Sequence, residues 1–440
     1  MSQDITKPRA ISGFPEWLPA QQRVQDRFIN TIRRVFESYG FCHLETSAVE
    51  LTEVLAAKGV EAKEIYSLSR LAATAEDDEE NRYSLHFDLT VPFARYVALN
   101  QGQLVFPFKR YQIQKVWRGE RPAQGRFREF YQCDIDIVGI DQLPLSFDAE
   151  LLEVMGNLFG ELKLGQVEFR VNHRKLLQGF YSSLGLSEDT RSQVLIEVDK
   201  IEKIGQAGVL KRLAELVCSE SQAQKIVSFA LSRQERQGLR QHLEGLEVDH
   251  PDFQQGIDEL SQLLEQIPET STARLVWDGS ITRGLNYYTG VIFETSLIGA
   301  TGLGSICSGG RYEDLCSRFS KTSMPGVGIS LGLTRLLSYL FNQEGFVNAD
   351  AQSPSDVLLI AMDGAQLLQY RRVAQQMRRM GWNVELSPVG KLKKLMTIAN
   401  RKGIPHVVIP NEDGSFEWKD MLSGEQQKYS EAELLSKNKA

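Results

Sequence analysis

Between Lys109 and Arg128 the chain carries seven basic side chains, Lys109, Arg110, Lys115, Arg118, Arg121, Arg126 and Arg128, against one acid, Glu120. The stretch reads as a strand ending at Arg118, a polar turn with Pro122 and Gly125, and a returning strand that holds Arg126, Arg128 and Phe130. Such a hairpin gathers guanidinium forks beside an aromatic ring. Guanidinium groups bind phosphate oxygens in pairs and a phenyl ring can stack on a base, so the pattern suits a nucleoside triphosphate. A solvated charged hairpin with scattered ion pairs is the ordinary alternative. A second basic island, from Gly364 to Lys402, sets Arg371, Arg372, Arg378, Arg379, Lys391, Lys393, Lys394, Arg401 and Lys402 against Glu385 alone. It fits a polyanion or, equally, the solvated faces of helices.

Other chemistries find no support. The five cysteines are scattered without a C-x-x-C pair, which argues against a disulfide framework or a zinc site. The six histidines lie far apart with no H-E-x-x-H spacing, so no protein-built metal site is expected. The start, MSQDITKPRA, has no apolar core, and no apolar run approaches the roughly 20 residues of a membrane helix. A soluble, cytoplasmic protein without a membrane partner is expected. A net charge of -7 argues against a general nucleic-acid coat but leaves room for polarised surfaces.

The elements that must position these residues follow from periodicity. The chain has 440 residues, enough for two or three domains of about 150. From Gln21 to Tyr39, Val24, Phe28, Ile29, Ile32, Val35 and Phe36 recur at helical spacing, with Gly40 as the terminator. Tyr83–Phe87, Phe106–Val116 and Phe130–Val138 read as neighbouring antiparallel strands. Ser146–Leu164 and Lys175–Pro268 read as helical. Strands return at Arg274–Trp277, Tyr287–Ser296 and Gly326–Ser330, with an apolar helix from Leu333. Asn342–Ser355 has linker composition. After it β and α alternate: Asp356–Ala361, Gln366–Met380, Asn383–Leu386, Lys391–Arg401 and His406–Ile409, implying a small domain with a mainly parallel sheet.

Three ordered stretches also carry a family resemblance. R-G-E-R-P-x-x-G-R-x-R-E-F at Arg118–Phe130 resembles motif 2 of the class II aminoacyl-tRNA synthetases, and GVGISLGLTR at Gly326–Arg335 resembles motif 3. The helix and strand from Gln21 to Glu50 resemble the dimer-forming motif 1. ITRGLNYYTGVIFE at Ile281–Glu294, SGGRYEDL at Ser308–Leu315 and LHFDLTVPFARY at Leu85–Tyr96 resemble signatures of the histidyl-tRNA synthetases. The sequence is identified as a member of that family.

The resemblance implies an α+β catalytic domain, an antiparallel sheet flanked by helices, with a helical insertion and a C-terminal α/β domain. The implied boundaries are 1–165 and 271–345 for the two catalytic parts, 166–270 for the insertion and 355–440 for an anticodon-binding-like domain. It implies L-histidine, ATP with Mg²⁺, and the tRNA for histidine as substrates, and a homodimer. ATP would be held by Arg118, Glu120, Arg126, Phe130 and Arg335. Histidine would be held by Asp88, Thr90, Arg118, Gln132, Asp136, Tyr287 and Tyr288, with Asp136 accepting from one ring nitrogen and Tyr288 near the other. Arg283 and Arg118 would be the catalytic groups, steadying the α-phosphate as the carboxylate attacks.

The chain departs from the family pattern in places. Asn286 stands where an acid is usual in R-G-L-D-Y-Y, Thr46–Val49 lacks the motif 1 proline at about Ser47, and Thr334 precedes Arg335 where an acid is common. Pro410–Phe416 replaces a G-x-x-E turn. Two rival readings follow: a non-catalytic paralogue that binds histidine and regulates another enzyme, and a class II synthetase for proline or threonine. A plain nucleotide-binding regulator has the least support.

Overall fold

The computed structural model describes residues 6–56, 64–71, 82–216, 219–269, 272–282, 288–313, 316–347 and 352–439. The chain divides into two compact units, one of Met1–Pro15 with Phe28–Tyr339 and one of Glu16–Arg27 with Leu340–Ala440. Among the described residues no helix is long and apolar enough to cross a membrane.

The first helix, Pro19–Ser38, buries Phe28, Ile32, Val35 and Phe36. It ends where the spacing predicted. Gly40 takes φ 78°, its N–H reaches the Glu37 carbonyl at 3.0 Å and the Phe41 N–H reaches Phe36 at 3.2 Å. These are the two hydrogen bonds of a Schellman cap, and the Phe36 and Phe41 rings close it with centroids 6.4 Å apart.

Strands β1 (Cys42–His43), β5 (Phe108–Trp117), β6 (Glu129–Val138), β7 (Val167–His173), β8 (Arg233–Glu235), β9 (Ala273–Asp278), β10 (Tyr288–Leu297), β11 (Ser305–Tyr312) and β12 (Gly326–Gly332) form the main sheet, in the order β1-β5-β6-β12-β11-β10-β7-β9-β8. Its centre, β5 through β7, is antiparallel, whereas β1 pairs with β5 and β7 with β9 in parallel. The expected antiparallel sheet is therefore mixed towards its edges. The expected third neighbour, Tyr83–Phe87, lies elsewhere. As β4 (Tyr83–Leu85) it pairs with β2 (Val49–Leu51) and β3 (Ser67–Leu68) in a separate three-stranded sheet, because β1 occupies the free edge of β5.

Alternation along the strands sorts the two faces of the main sheet. Tyr111, Ile135, Ile329, Gly309, Phe293, Val171 and Trp277 are consecutive cross-strand partners and form an apolar row. The Phe36 ring packs on Tyr111 from the first helix, and Phe159 on Phe169 from the Ser146–Leu162 helix. One residue further along each strand the partners are Gln112, Asp134, Ser330, Ser308, Glu294 and Arg170, a polar row on the opposite face.

Among the described residues, six helices between Arg174 and Glu265 follow β7, so the first strand of the segment expected as a helical insertion belongs to the main sheet. Two of them, Arg174–Ser183 and Pro251–Glu265, cross closely. A Cβ on Gly179 would meet the Phe253 nitrogen at 2.6 Å, and one on Gly256 the Leu176 nitrogen at 2.9 Å.

In the second unit β13 (Val357–Leu359), β14 (Val384–Leu386), β15 (His406–Pro410), β16 (Phe416–Asp420) and β17 (Gln426–Tyr429) form a sheet in the order β14-β13-β15-β16-β17. The alternating β and α elements supply its parallel half. The sheet is not mainly parallel, because β16 and β17 add an antiparallel half. Helix Leu367–Arg379 packs with Leu359 on one face and helix Leu392–Lys402 with Leu358 on the other. The second basic island is thereby divided between opposite faces, with Arg371, Arg372 and Arg379 exposed on one helix and Lys393, Lys394 and Arg401 on the other.

Candidate active site

Strand β6 carries the site. Every second side chain, Phe130, Gln132, Asp134 and Asp136, points to the polar face, a consequence of the two-residue period. Two cavities open along this line.

At the Asp136 end, a cavity is lined by Glu64, Phe87, Asp88, Thr90, Arg118, Gln132, Asp134, Asp136, Tyr288, Ser308, Tyr312, Gly328, Ile329 and Ser330. Four carboxyls, those of Glu64, Asp88, Asp134 and Asp136, line it. Asp136 lies 2.7 Å from the fully buried Arg110 and accepts from the Tyr312 hydroxyl at 3.2 Å. Burial still holds its carboxyl above the usual range. Burial lifts Asp134 to about 7, against the pull of Arg110. It lifts Asp88 to about 6, against Arg118. Asp88 also accepts from the Val91 N–H at 3.3 Å at the start of helix Thr90–Asn100, so it combines a capping role with a place in the cavity. Gly328 makes room for Asp136, since a Cβ there would sit 2.1 Å from Oδ1.

At the Phe130 end, a second cavity is lined by Arg118, Glu120, Gly125, Arg126, Phe127, Phe130, Gln132, Ser305, Ile306, Cys307, Ser308, Ser330, Gly332 and Arg335. Glu120 lies between Arg118 at 3.9 Å and Arg126 at 3.8 Å. The Arg118 guanidinium donates to the Phe87 carbonyl at 2.9 Å and stands 5.2 Å from the Phe130 ring centroid. Arg335 donates to the Leu303 carbonyl and passes between two glycines; a Cβ on Gly304 would lie 2.9 Å from it. Arg118, Gln132, Ser308 and Ser330 line both cavities and so mark their junction.

Of the expected residues, Asp88, Thr90, Arg118, Gln132, Asp136 and Tyr288 meet in the first cavity, and Arg118, Glu120, Arg126, Phe130 and Arg335 in the second. Arg283, Asn286 and Tyr287 lie outside the described residues. Three of the seven basic side chains of the first island are neutralised by acids: Lys109 pairs with Glu150, Arg110 with Asp136, and Lys115 with Glu129 at 2.6 Å. Sequence reasoning missed Arg110, Asp134, Ser308, Tyr312 and Ser330. The alternation from Gln132 to Asp136 was the available signal for Asp134.

The departures have local partners. Thr334 is buried and its hydroxyl accepts from the Tyr131 N–H at 2.8 Å. Thr46 accepts from Gln112 at 3.1 Å. Asn411–Ser415 is a tight turn between β15 and β16, closed by Asn411 N–H to the Ser415 carbonyl at 2.8 Å. The GGRY arginine, Arg311, reaches Asp148 and donates to the Leu143 carbonyl at 2.9 Å, which makes it a buried brace.

The sequence matches the family model described as histidyl-tRNA synthetase over residues 13–336. The chain belongs to the histidyl-tRNA synthetase family. It is 44% identical over 428 residues to the histidine–tRNA ligase of Thermobifida fusca (strain YX), covering 96% of this chain and 97% of that protein. The crystal structure of histidyl-tRNA synthetase from Nostoc sp. PCC 7120 superposes with a TM-score of 0.87 at 39% identity, over 98% of this chain and 99% of that one. An ATP phosphoribosyltransferase regulatory subunit/histidyl-tRNA synthetase from Bacillus halodurans C shares the fold, at a TM-score of 0.72 and 18% identity, over 90% of this chain and 97% of that one. The class II synthetase fold, with its large mixed sheet and C-terminal sheet domain, is thus that of the histidyl-tRNA synthetase family.

Proposed function

We propose that this chain is a histidine–tRNA ligase, activating L-histidine with ATP and passing the histidyl group to the tRNA for histidine. The observation that carries the reading is the junction of an acidic cavity with an arginine-lined one at Arg118 and Gln132. Relatives of nearly equal length that bear this activity support it.

Histidine enters the cavity of Asp88, Thr90, Gln132, Asp136 and Tyr288, its ammonium facing Asp88 and its imidazole facing Asp136 and Tyr288. Buried hydrogen-bonding groups reject side chains that lack matching donors by roughly 10⁴-fold or more. ATP lies along Phe130, with Glu120 accepting from the adenine amino group and Arg126 and Arg335 neutralising the phosphates. ATP would come as its Mg²⁺ complex, the ion offsetting phosphate charge beside Arg126 and Arg335. The histidine carboxylate attacks the α-phosphorus, the bond to the bridging oxygen breaks, and histidyl-adenylate and pyrophosphate form. Arg118, with Arg283, meets the charge that develops on the phosphorus oxygens. The terminal ribose hydroxyl of the tRNA then takes the histidyl group and AMP leaves.

The helices between Arg174 and Glu265 would reach the acceptor arm, and the unit from Leu340 would take the anticodon, the reaction running in the cytosol. The three-stranded sheet exposes Val49, Leu51, Leu68 and Tyr83, an apolar set that a second copy of the chain would cover as a homodimer. A monomer in sedimentation would overturn the dimer.

Histidine-dependent exchange of pyrophosphate into ATP tests the activity, with proline, threonine and no amino acid as controls. Exchange with histidine alone is expected. Tight histidine binding without exchange would replace the ligase with the regulatory reading.

A further inference from the structure

In the polar row, Asp134 and Ser330 face each other across β6 and β12, and Gln132 reaches Ser330 from one step along β6. The Gln132 amide lies 2.6 Å from the Ser330 hydroxyl, with Nε2 as donor. The register sets Ser330 directly opposite Asp134, which places the same hydroxyl beside that carboxyl. Gln132 Oε1 and Asp134 Oδ1 are both buried without a hydrogen-bond partner, and both residues line the amino-acid cavity.

The polarity of this chain of bonds is determined by chemistry. An ionised carboxylate can only accept, and a serine hydroxyl has one proton to give. When Asp134 is ionised, that proton goes to Asp134, so Ser330 can only accept from Gln132. Gln132 must then turn its NH₂ group to Ser330 and its carbonyl oxygen into the cavity. An amide oxygen attracts the substrate's α-ammonium, whereas an amide NH₂ in the same place would repel it.

We propose that Asp134 is a positioning residue, which through Ser330 orients the Gln132 amide so that its oxygen receives the α-ammonium of the bound amino acid. The inference rests on the amino-acid-binding reading of this cavity. Asp134 lines the same cavity, but its effect on the ammonium passes through the Ser330 hydroxyl and the Gln132 amide. Asp134→Asn removes the directing charge: an amide can donate to Ser330, which frees the serine proton for Gln132 and allows the glutamine to flip. Ser330→Ala breaks the relay at its middle and leaves the carboxyl in place.

The test is equilibrium binding of three probes to the full chain: L-histidine, histidinol, and 3-(imidazol-4-yl)propionate, which lacks the ammonium. Asp134→Asn and Ser330→Ala are expected to weaken histidine and histidinol by roughly tenfold to a hundredfold, and to change the des-amino probe less than threefold. Ser330→Thr keeps the hydroxyl and should restore most of the affinity. Equal losses for all three probes, or no loss for any, would overturn the relay. If Asp134→Asn does not fold, the Ser330 pair carries the test alone. Failure of the unaltered protein to bind histidine would instead overturn the functional reading.

Discussion

Arg110 and Asp136 face each other across β5 and β6 as a buried ion pair, 2.7 Å apart. The arginine also lies over the Phe93 ring at 4.2 Å and donates to Gln112 at 3.2 Å and to the Leu89 carbonyl at 3.3 Å. The acid that would read the imidazole is thereby held by a group on the side of the strand away from β12.

Removing that partner leaves a charge buried and uncompensated. Arg110→Met is expected to destabilise the protein by about 3–5 kcal/mol and to weaken histidine binding, both measured in one urea titration with and without histidine. A midpoint unchanged from the parent would show that Asp136 does not need the pair.

Asp134 links stability to pH. Its carboxyl is raised to about 7 by burial, with Arg110 opposing and Asp136 and Asp88 adding to the rise. A raised carboxyl favours the folded state below its unfolded value near 4, and that contribution is lost as pH climbs to about 7. The slope is at most about 1.4 kcal/mol per pH unit. Asp134→Asn lacks this term, so its stability relative to the parent should rise from pH 4 to 7. Parallel unfolding curves across that range would count against a raised Asp134.

Gly328 is required by a neighbour rather than by its own backbone. A methyl group there would sit 2.1 Å from Asp136 Oδ1 and 3.0 Å from the Ile135 carbonyl. Gly328→Ala should displace the carboxyl and raise the histidine KM by about tenfold or more. An unchanged KM would mean that Asp136 does not contact the substrate.

Arg118 stands at the junction of the cavities, so its loss should act on the chemical step. Arg118→Ala is expected to slow adenylate formation by about 10² to 10³-fold in rapid-quench single turnovers at saturating ATP and histidine. A normal single-turnover rate with raised KM values would limit Arg118 to binding.

Much of the site was legible because it is local. The hairpin around Arg118, its glycine at 125 with φ 71°, and the spacing of Phe130, Gln132 and Asp136 along one strand all follow from short-range pattern. The helix end at Gly40 and the parallel strands of the second unit were legible for the same reason. The antiparallel pair β16 and β17 was missed, although Phe416 and Trp418 alternate inward in β16.

The sequence by itself determined residue type and order: arginines beside an aromatic ring, acids at every second position, and signatures that place the chain in its family. Only the tertiary structure decided which charges remain available. Lys109, Arg110 and Lys115 read as part of one basic patch, yet each meets an acid on another element or strand. Asp134 read as one more strand residue until Ser330, almost 200 positions away, was placed opposite it. Pairing and burial arise from contacts between distant segments, and it is burial that moves a carboxyl's proton affinity and fixes which way a hydroxyl points.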